Sequence, residues 1–118
     1  MKIKKACALL LLLTLAALAG CRSHVIRMTI INASSQSVTT IAIEYPGASF
    51  GINSLAPGKE FPYTIKPTET GMLKIEFTDA AGKDHKAILG KLQKNDEGVI
   101  TVRLTQETAV TVMQLAAR

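Results

Sequence analysis

The sequence predicts an all-β domain, a small antiparallel β-sandwich. Short runs alternate apolar and polar residues with a period of two, most clearly where Phe61, Tyr63 and Ile65 share a face opposite Glu60, Pro62, Thr64 and Lys66. Turn-forming residues interrupt such runs about every ten residues. After residue 20 no segment carries the apolar period of a helix. Runs half buried and half wet suit two packed sheets, in which every strand turns one face to the core and the other to water.

Residues 25–33 read as a first strand, with Ile26, Met28 and Ile30 on one face and Arg27 and Thr29 on the other. A polar turn at Asn32-Ala33-Ser34-Ser35 follows, and residues 38–45 resume a β pattern in which Ile41, Ile43 and Tyr45 share a face. Pro46-Gly47 ends that run. Residues 48–58 read as a Gly, Ser and Pro punctuated connection, with room for at most a short strand and a tight turn at Ala56-Pro57-Gly58. Residues 59–66 form the clearest strand, and Pro62 places it at a sheet edge because proline has no ladder donor. Residues 72–78 turn Leu73, Ile75 and Phe77 inward, and Asp79-Ala80-Ala81-Gly82-Lys83 sends the chain back as a hairpin with Gly82 at positive φ. The returning strand, residues 85–92, has no clean face, because Ile88 and Leu92 compete with Ala87 and Leu89. After a turn at Asn95-Asp96-Glu97-Gly98, residues 99–104 and 109–115 read as strands joined by a Gln106-Glu107 corner. The count is about seven or eight strands, immunoglobulin-like in layout alone, since a Cys, Trp, Cys spacing is missing.

A chain of 118 residues with a short leader has room for a single domain. The formal net charge of +5 suggests a polyanion binder until the charges are placed: Lys2, Lys4 and Lys5 lie in the leader, which leaves 11 basic residues (14 minus 3) against 9 acidic ones. That near-balance argues against a nucleic-acid partner. Both signs are interspersed, as in Lys74 and Glu76, which suits a solvated surface.

The leader itself has three parts. Residues 1–5 are basic, residues 6–18 are apolar except for Thr14, and Ala19 and Gly20 are small. That is the build of a signal peptide, and the apolar stretch falls short of the roughly 20 residues that cross a bilayer. Its end, Leu18-Ala19-Gly20-Cys21, resembles the lipobox of bacterial lipoproteins at all four positions. The resemblance implies transfer of a diacylglyceryl group to the Cys21 sulfur and cleavage before Cys21. It usually also implies acylation of the new amino group. Two or more acyl chains anchor a protein firmly, whereas one binds reversibly. Cys7 lies in the leader, so Cys21 is the lone mature cysteine; an intrachain disulfide is excluded and lipidation accounts for the thiol. The other reading is an ordinary peptidase site at Ala17-Leu18-Ala19, releasing a protein that begins at Gly20. By the same resemblance, Arg22 in place of an aspartate after the cysteine favours the outer membrane, facing the periplasm, if the source is diderm. The resemblance thus implies that residues 1–20 are a removed signal peptide, 21–24 a short lipidated tether and 25–118 the domain.

The stretches Tyr45-Pro46-Gly47-x-Ser49-Phe50-Gly51, Leu55-x-Pro57-Gly58 and Phe77-Thr78-Asp79-Ala80-x-Gly82 are also similar to small exported bacterial proteins, a likeness that implies no activity.

Chemistry is sparse. Beyond the leader the histidines are His24, in the tether, and His85, in a strand, and neither has an evident nucleophile beside it. A metal corner of Asp79, Asp84 and His85 is disfavoured because a strand sends Asp84 and His85 to opposite faces, so His85 is expected to face solvent. Asp79 is expected to bond backbone groups of its own turn. The glycines read as turns, not as a phosphate loop, and the carboxylates read as surface charge. No catalytic residue, metal or cofactor is therefore expected. Two places invite a partner: the connection carrying Tyr45, Phe50 and Ile52, where Phe50 otherwise plugs one end of the sandwich, and the edge at Phe61, Pro62 and Tyr63, open to strand addition but hindered by the proline. The expected role is a membrane-anchored, noncatalytic interaction or structural module of the cell envelope. The competing expectation is a carrier holding a small apolar ligand or lipid between the sheets.

Overall fold

The computed structural model describes residues 24–116. They form eight strands: β1 (Ile26–Asn32), β2 (Val38–Tyr45), β3 (Ala48–Leu55), β4 (Glu60–Ile65), β5 (Gly71–Thr78), β6 (Asp84–Leu92), β7 (Gly98–Leu104) and β8 (Ala109–Leu115). The strands make two four-stranded sheets, ordered β4-β1-β7-β8 and β3-β2-β5-β6. All neighbours are antiparallel except β1 and β7, whose parallel register runs from Ile26 opposite Gly98 to Asn32 opposite Leu104. The predicted β-sandwich is the observed fold.

Alternation builds the core. Ile26, Met28 and Ile30 of β1 meet Ile100, Val102 and Leu104 of β7 from one sheet, and Ile41, Ile43, Leu73, Ile75 and Phe77 face them from the other, all essentially excluded from water. Burying each such side chain contributes about 1.5–3 kcal/mol, so these residues dominate the fold's stability.

Two strands break the strict two-residue alternation, and the second break explains the faceless pattern of residues 85–92. In β2 the register against β5 shifts between Thr39 and Ala42, and Thr40 takes a positive φ of 49°. This β-bulge lets Val38 and Ile41, three apart, both face inward. In β6, Leu73 pairs with Gly90 but Lys74 with Ile88, so Leu89 is the extra residue. Ala87 and Leu89 therefore lean inward before the bulge and Leu92 is buried after it, while Ile88 remains 65% exposed.

One element differs from the sequence reading. Residues 48–55, expected as a connection, form an eight-residue strand paired with β2 from Tyr45 opposite Ala48 to Val38 opposite Leu55. The two-residue turn Pro46-Gly47 makes this hairpin possible, because Gly47 adopts φ +104°. Its Ser and Gly residues occupy the wet face, and Phe50, Ile52 and Leu55 the core side. The Asp79 hairpin forms as expected, with Gly82 at φ +82°.

Buried polar side chains hold the turns. Asn32, fully buried, donates from Nδ2 to the Gln36 and Leu55 carbonyls at 2.8 Å each, and its Oδ1 accepts from the Ser34 N–H at 2.9 Å and hydroxyl at 2.6 Å. It thereby ties the β1-β2 turn to the end of β3. At the opposite pole, Asp96 Oδ2 accepts from the Gln93 N–H at 2.7 Å.

Candidate functional site

The two stretches singled out for binding converge. Strands β3 and β4 are edges of different sheets. Their aromatic residues meet along that side of the sandwich: Phe50 stacks on Tyr63 at 3.9 Å between ring centroids, with an interplanar angle of 18°. Phe61 lies 6.4 Å from both rings and nearly parallel to them, and Tyr45 meets Phe50 at 6.4 Å and 55°. Rings in these offset and tilted geometries attract beyond the area they bury. The result is an aromatic seam where the open edges of the two sheets are closed by side chains.

The members of the seam are not equivalent. Phe50, Phe61 and Tyr45 are half-buried against the core, whereas Tyr63 is 37% exposed. Burial pushes the Tyr45 phenol above its ordinary value, with the neighbouring Tyr63 adding to the effect. Ile52 belongs to the core and is withdrawn from any contact surface. Pro62 points to the opposite, wet face of β4, opposite Thr29 of β1. Thus Phe50 packs as a closure between the sheets, and it sits on a strand where a loop was expected.

His85 is also placed differently from expectation. It is not solvent-facing: its side chain is 11% exposed, its ring stacks on Phe77 at 5.0 Å, and Nε2 lies 2.8 Å from Asp79 Oδ2. The Ala81 and Lys83 N–H groups donate to Asp79 Oδ1 at 2.9 Å each, as the turn reading expected. Together these bonds, the one from His85 first, hold the Asp79 carboxyl below its usual range. Asp84 turns to the other face and accepts from the Thr78 hydroxyl at 2.7 Å. The signal for the His85 contact was available in the hairpin: a turn at residues 80–82 sets Phe77 opposite His85 and leaves Asp79 diagonal to it. The arrangement is a polar latch on a hairpin. Among the described residues no cluster of three or more His, Cys, Asp or Glu side chains could hold a metal ion.

An open hollow of about 1040 Å³ lies on the outer face of the β2-β5-β6 sheet, where Glu44, Lys74, Glu76 and Lys86 surround Met72 and Ile88. Its charges alternate in sign. Cys21, with the lipobox-like motif expected to anchor the chain, lies outside the described residues.

No family model matches the chain, and no curated protein matches it. Among solved structures, the NMR structure of a protein from Eubacterium rectale is similar, with a TM-score of 0.56 and 11% identity over 79% of this chain and 91% of that one. At that identity the likeness concerns the fold alone, and it extends the β-sandwich to a bacterial neighbour.

Proposed function

We propose that the protein is a lipid-anchored, noncatalytic module of the bacterial cell envelope, tethered through Cys21 and presenting a β-sandwich to an envelope partner. The observation that carries the reading is the Leu18-Ala19-Gly20-Cys21 motif, set directly after a basic and apolar leader and shortly before β1 begins at Ile26. Arg22, Ser23 and His24 reach at most about 10 Å when extended, so the pole at which β1 starts faces the membrane. The strand directions put the turns at residues 46–47, 66–70 and 93–97 on that pole and those at 33–37, 56–59, 79–83 and 105–108 on the far one. The aromatic seam runs along the side between them. Its exposed Tyr63, stacked on Phe50, is the kind of aromatic that dominates protein contacts.

The competing carrier reading needs space between the sheets. That interval is filled by Ile26, Met28, Ile30, Ile41, Ile75, Phe77 and Ile100, each at most 1% exposed, so an internal ligand would have to displace them.

The anchor and the role are tested separately. Wild-type chain incorporates a clickable fatty acid and partitions into detergent, and Cys21→Ser does neither; a wild type that stays in the aqueous phase overturns the anchor. A photo-crosslinker at Tyr63, used in intact cells, yields one reproducible envelope protein that a crosslinker at Glu76 does not. Lipid copurifying in fixed ratio with the chain, in place of a protein adduct, favours the carrier.

A further inference from the structure

Among the described residues the sandwich has four edge strands, and two of them are protected against pairing by proline, charge or a bulge. Strand β4 carries Pro62 in mid-strand, which removes a ladder donor, and Glu60 at its start. Strand β6 carries Asp84, Lys86 and Lys91 and is broken by the bulge at Leu89. Strand β3 has no charge or proline and keeps a constant register against β2, but its outward residues Ser49, Gly51 and Asn53 are poor strand formers with little apolar surface to offer a partner. Strand β8, Ala-Val-Thr-Val-Met-Gln-Leu, has no charge, no proline and no bulge, and its register against β7 is unbroken from Leu104 opposite Ala109 to Gly98 opposite Leu115. Val110 and Val112 on its outer face are 49% and 52% exposed, and Val99 beside them on β7 is 43% exposed. A regular, uncharged edge is the sheet feature that folded proteins most consistently avoid leaving open.

The free backbone groups of this edge can be assigned. At the two ends of the β7-β8 ladder, the Thr105 N–H donates to the Thr108 carbonyl and the Ala116 N–H to the Glu97 carbonyl, each at 2.8 Å. Antiparallel ladders alternate, so Val110, Val112 and Gln114 turn their backbone groups toward β7, while Ala109, Thr111, Met113 and Leu115 turn theirs away from the sheet. A two-fold axis through Val112 pairs Thr111 with Met113 and Ala109 with Leu115 of a second chain. Both members of each pair are outward-facing residues, so all their groups are satisfied, in roughly eight hydrogen bonds. Val112 then faces its own copy across the axis, Val110 faces Gln114, and no like charges oppose each other.

The neighbouring edge of the other sheet follows the same axis. Strand β6 lies beneath β8 in the other sheet, close enough that a Cβ added at Gly90 would come 2.5 Å from Met113 Cε. The two-fold axis runs the two β6 strands antiparallel, which brings both Asp84 and Lys86 of one toward the Lys91 end of the other.

We propose that β8 is a self-association edge, and that two copies of this chain pair antiparallel through it about Val112, joining two four-stranded sheets into one continuous sheet. The occupant is a second copy because the strand is self-complementary in this register. A seven-residue strand pairing buries less than the roughly 800 Å² per partner of a standard interface, so the dimer is weak in dilute solution. Confinement of anchored copies to a membrane plane, if the proposed lipidation holds, raises their effective concentration and favours it.

The test uses the full chain in bacterial membranes and in detergent micelles. Val112→Cys places a thiol at a narrow pair across the axis, where Cβ atoms are about 4.5–5.5 Å apart, and is expected to give a disulfide-linked dimer on mild oxidation. Cysteine at Thr101, on the same face but one strand in from the edge, is expected to give none. Val112→Lys opposes like charges at the axis and is expected to weaken the dimer about tenfold or more by analytical ultracentrifugation in micelles, with the circular dichroism spectrum unchanged because the site is exposed. Equal crosslinking at both positions, a chain monomeric at all concentrations with no crosslink at Val112, or a dimer indifferent to Val112→Lys would each overturn the proposal. Capture of a foreign extended peptide by a monomer would do so as well.

Discussion

Phe50 and Tyr63 stack at 3.9 Å, although they lie on edge strands of different sheets and the strands are not hydrogen-bonded to each other. The contact closes the side of the sandwich that backbone pairing leaves open. Phe50→Ala is expected to cost about 2–3 kcal/mol, somewhat below the value for a fully buried Phe, and Tyr63→Ala about 1 kcal/mol. A double-mutant cycle by urea unfolding should return a coupling of about 0.5–1.5 kcal/mol. Strictly additive effects would show that the stack contributes nothing of its own.

Acid should loosen the β5-β6 hairpin first. The Asp79 carboxyl titrates below its unfolded value because His85 and the turn N–H groups favour the ionised form. Its contribution is therefore present above about pH 4 and is lost as pH falls through the lowered native value. Amide exchange at Ala81 and Lys83 is expected to speed up as pH falls below about 4, beyond what the intrinsic rates give. Asp79→Asn should remove that acid step and lower the urea midpoint at neutral pH. An unchanged acid response in this variant would mean that other groups set it.

Asn32 is fully buried and engages four partners within its amide's reach. Asn32→Ala leaves the Leu55 carbonyl and the Ser34 N–H without those partners, at an expected cost of about 2–4 kcal/mol. Asn32→Asp should be worse, because a carboxylate has no donor for the Gln36 and Leu55 carbonyls. A loss below about 0.5 kcal/mol on thermal or urea unfolding would show that water replaces the amide at little cost.

Gly47 makes the β2-β3 hairpin possible. At φ +104° an alanine is strained, and its Cβ would collide with Thr68 Oγ1. Gly47→Ala is expected to destabilise by about 1–3 kcal/mol, and pairing it with Thr68→Ala should recover only the part due to the collision. Full recovery in the double variant would mean that backbone strain is negligible.

The positions at which sequence reading fell short share a physical origin. The β6 pattern looked faceless because the Leu89 bulge shifts the inward phase by one residue, which an alternation rule cannot anticipate. Residues 48–55 looked like a connection because serine and glycine are poor strand formers, yet pairing with β2 and packing of Phe50 and Ile52 override that local preference. His85 looked solvent-facing because its partner lies across a hairpin.

Local order alone determined seven of the eight strand segments, where Pro62 marks an edge, where Gly82 turns the chain, and where the lipobox-like motif sits, since each depends on residues a few positions apart. Tertiary structure decided that β1 runs parallel to β7, that the Phe50 and Tyr63 stretches form one seam, and that β8 lies at a sheet edge. These depend on which strands become neighbours, and the alternation in any one strand is equally compatible with many neighbours.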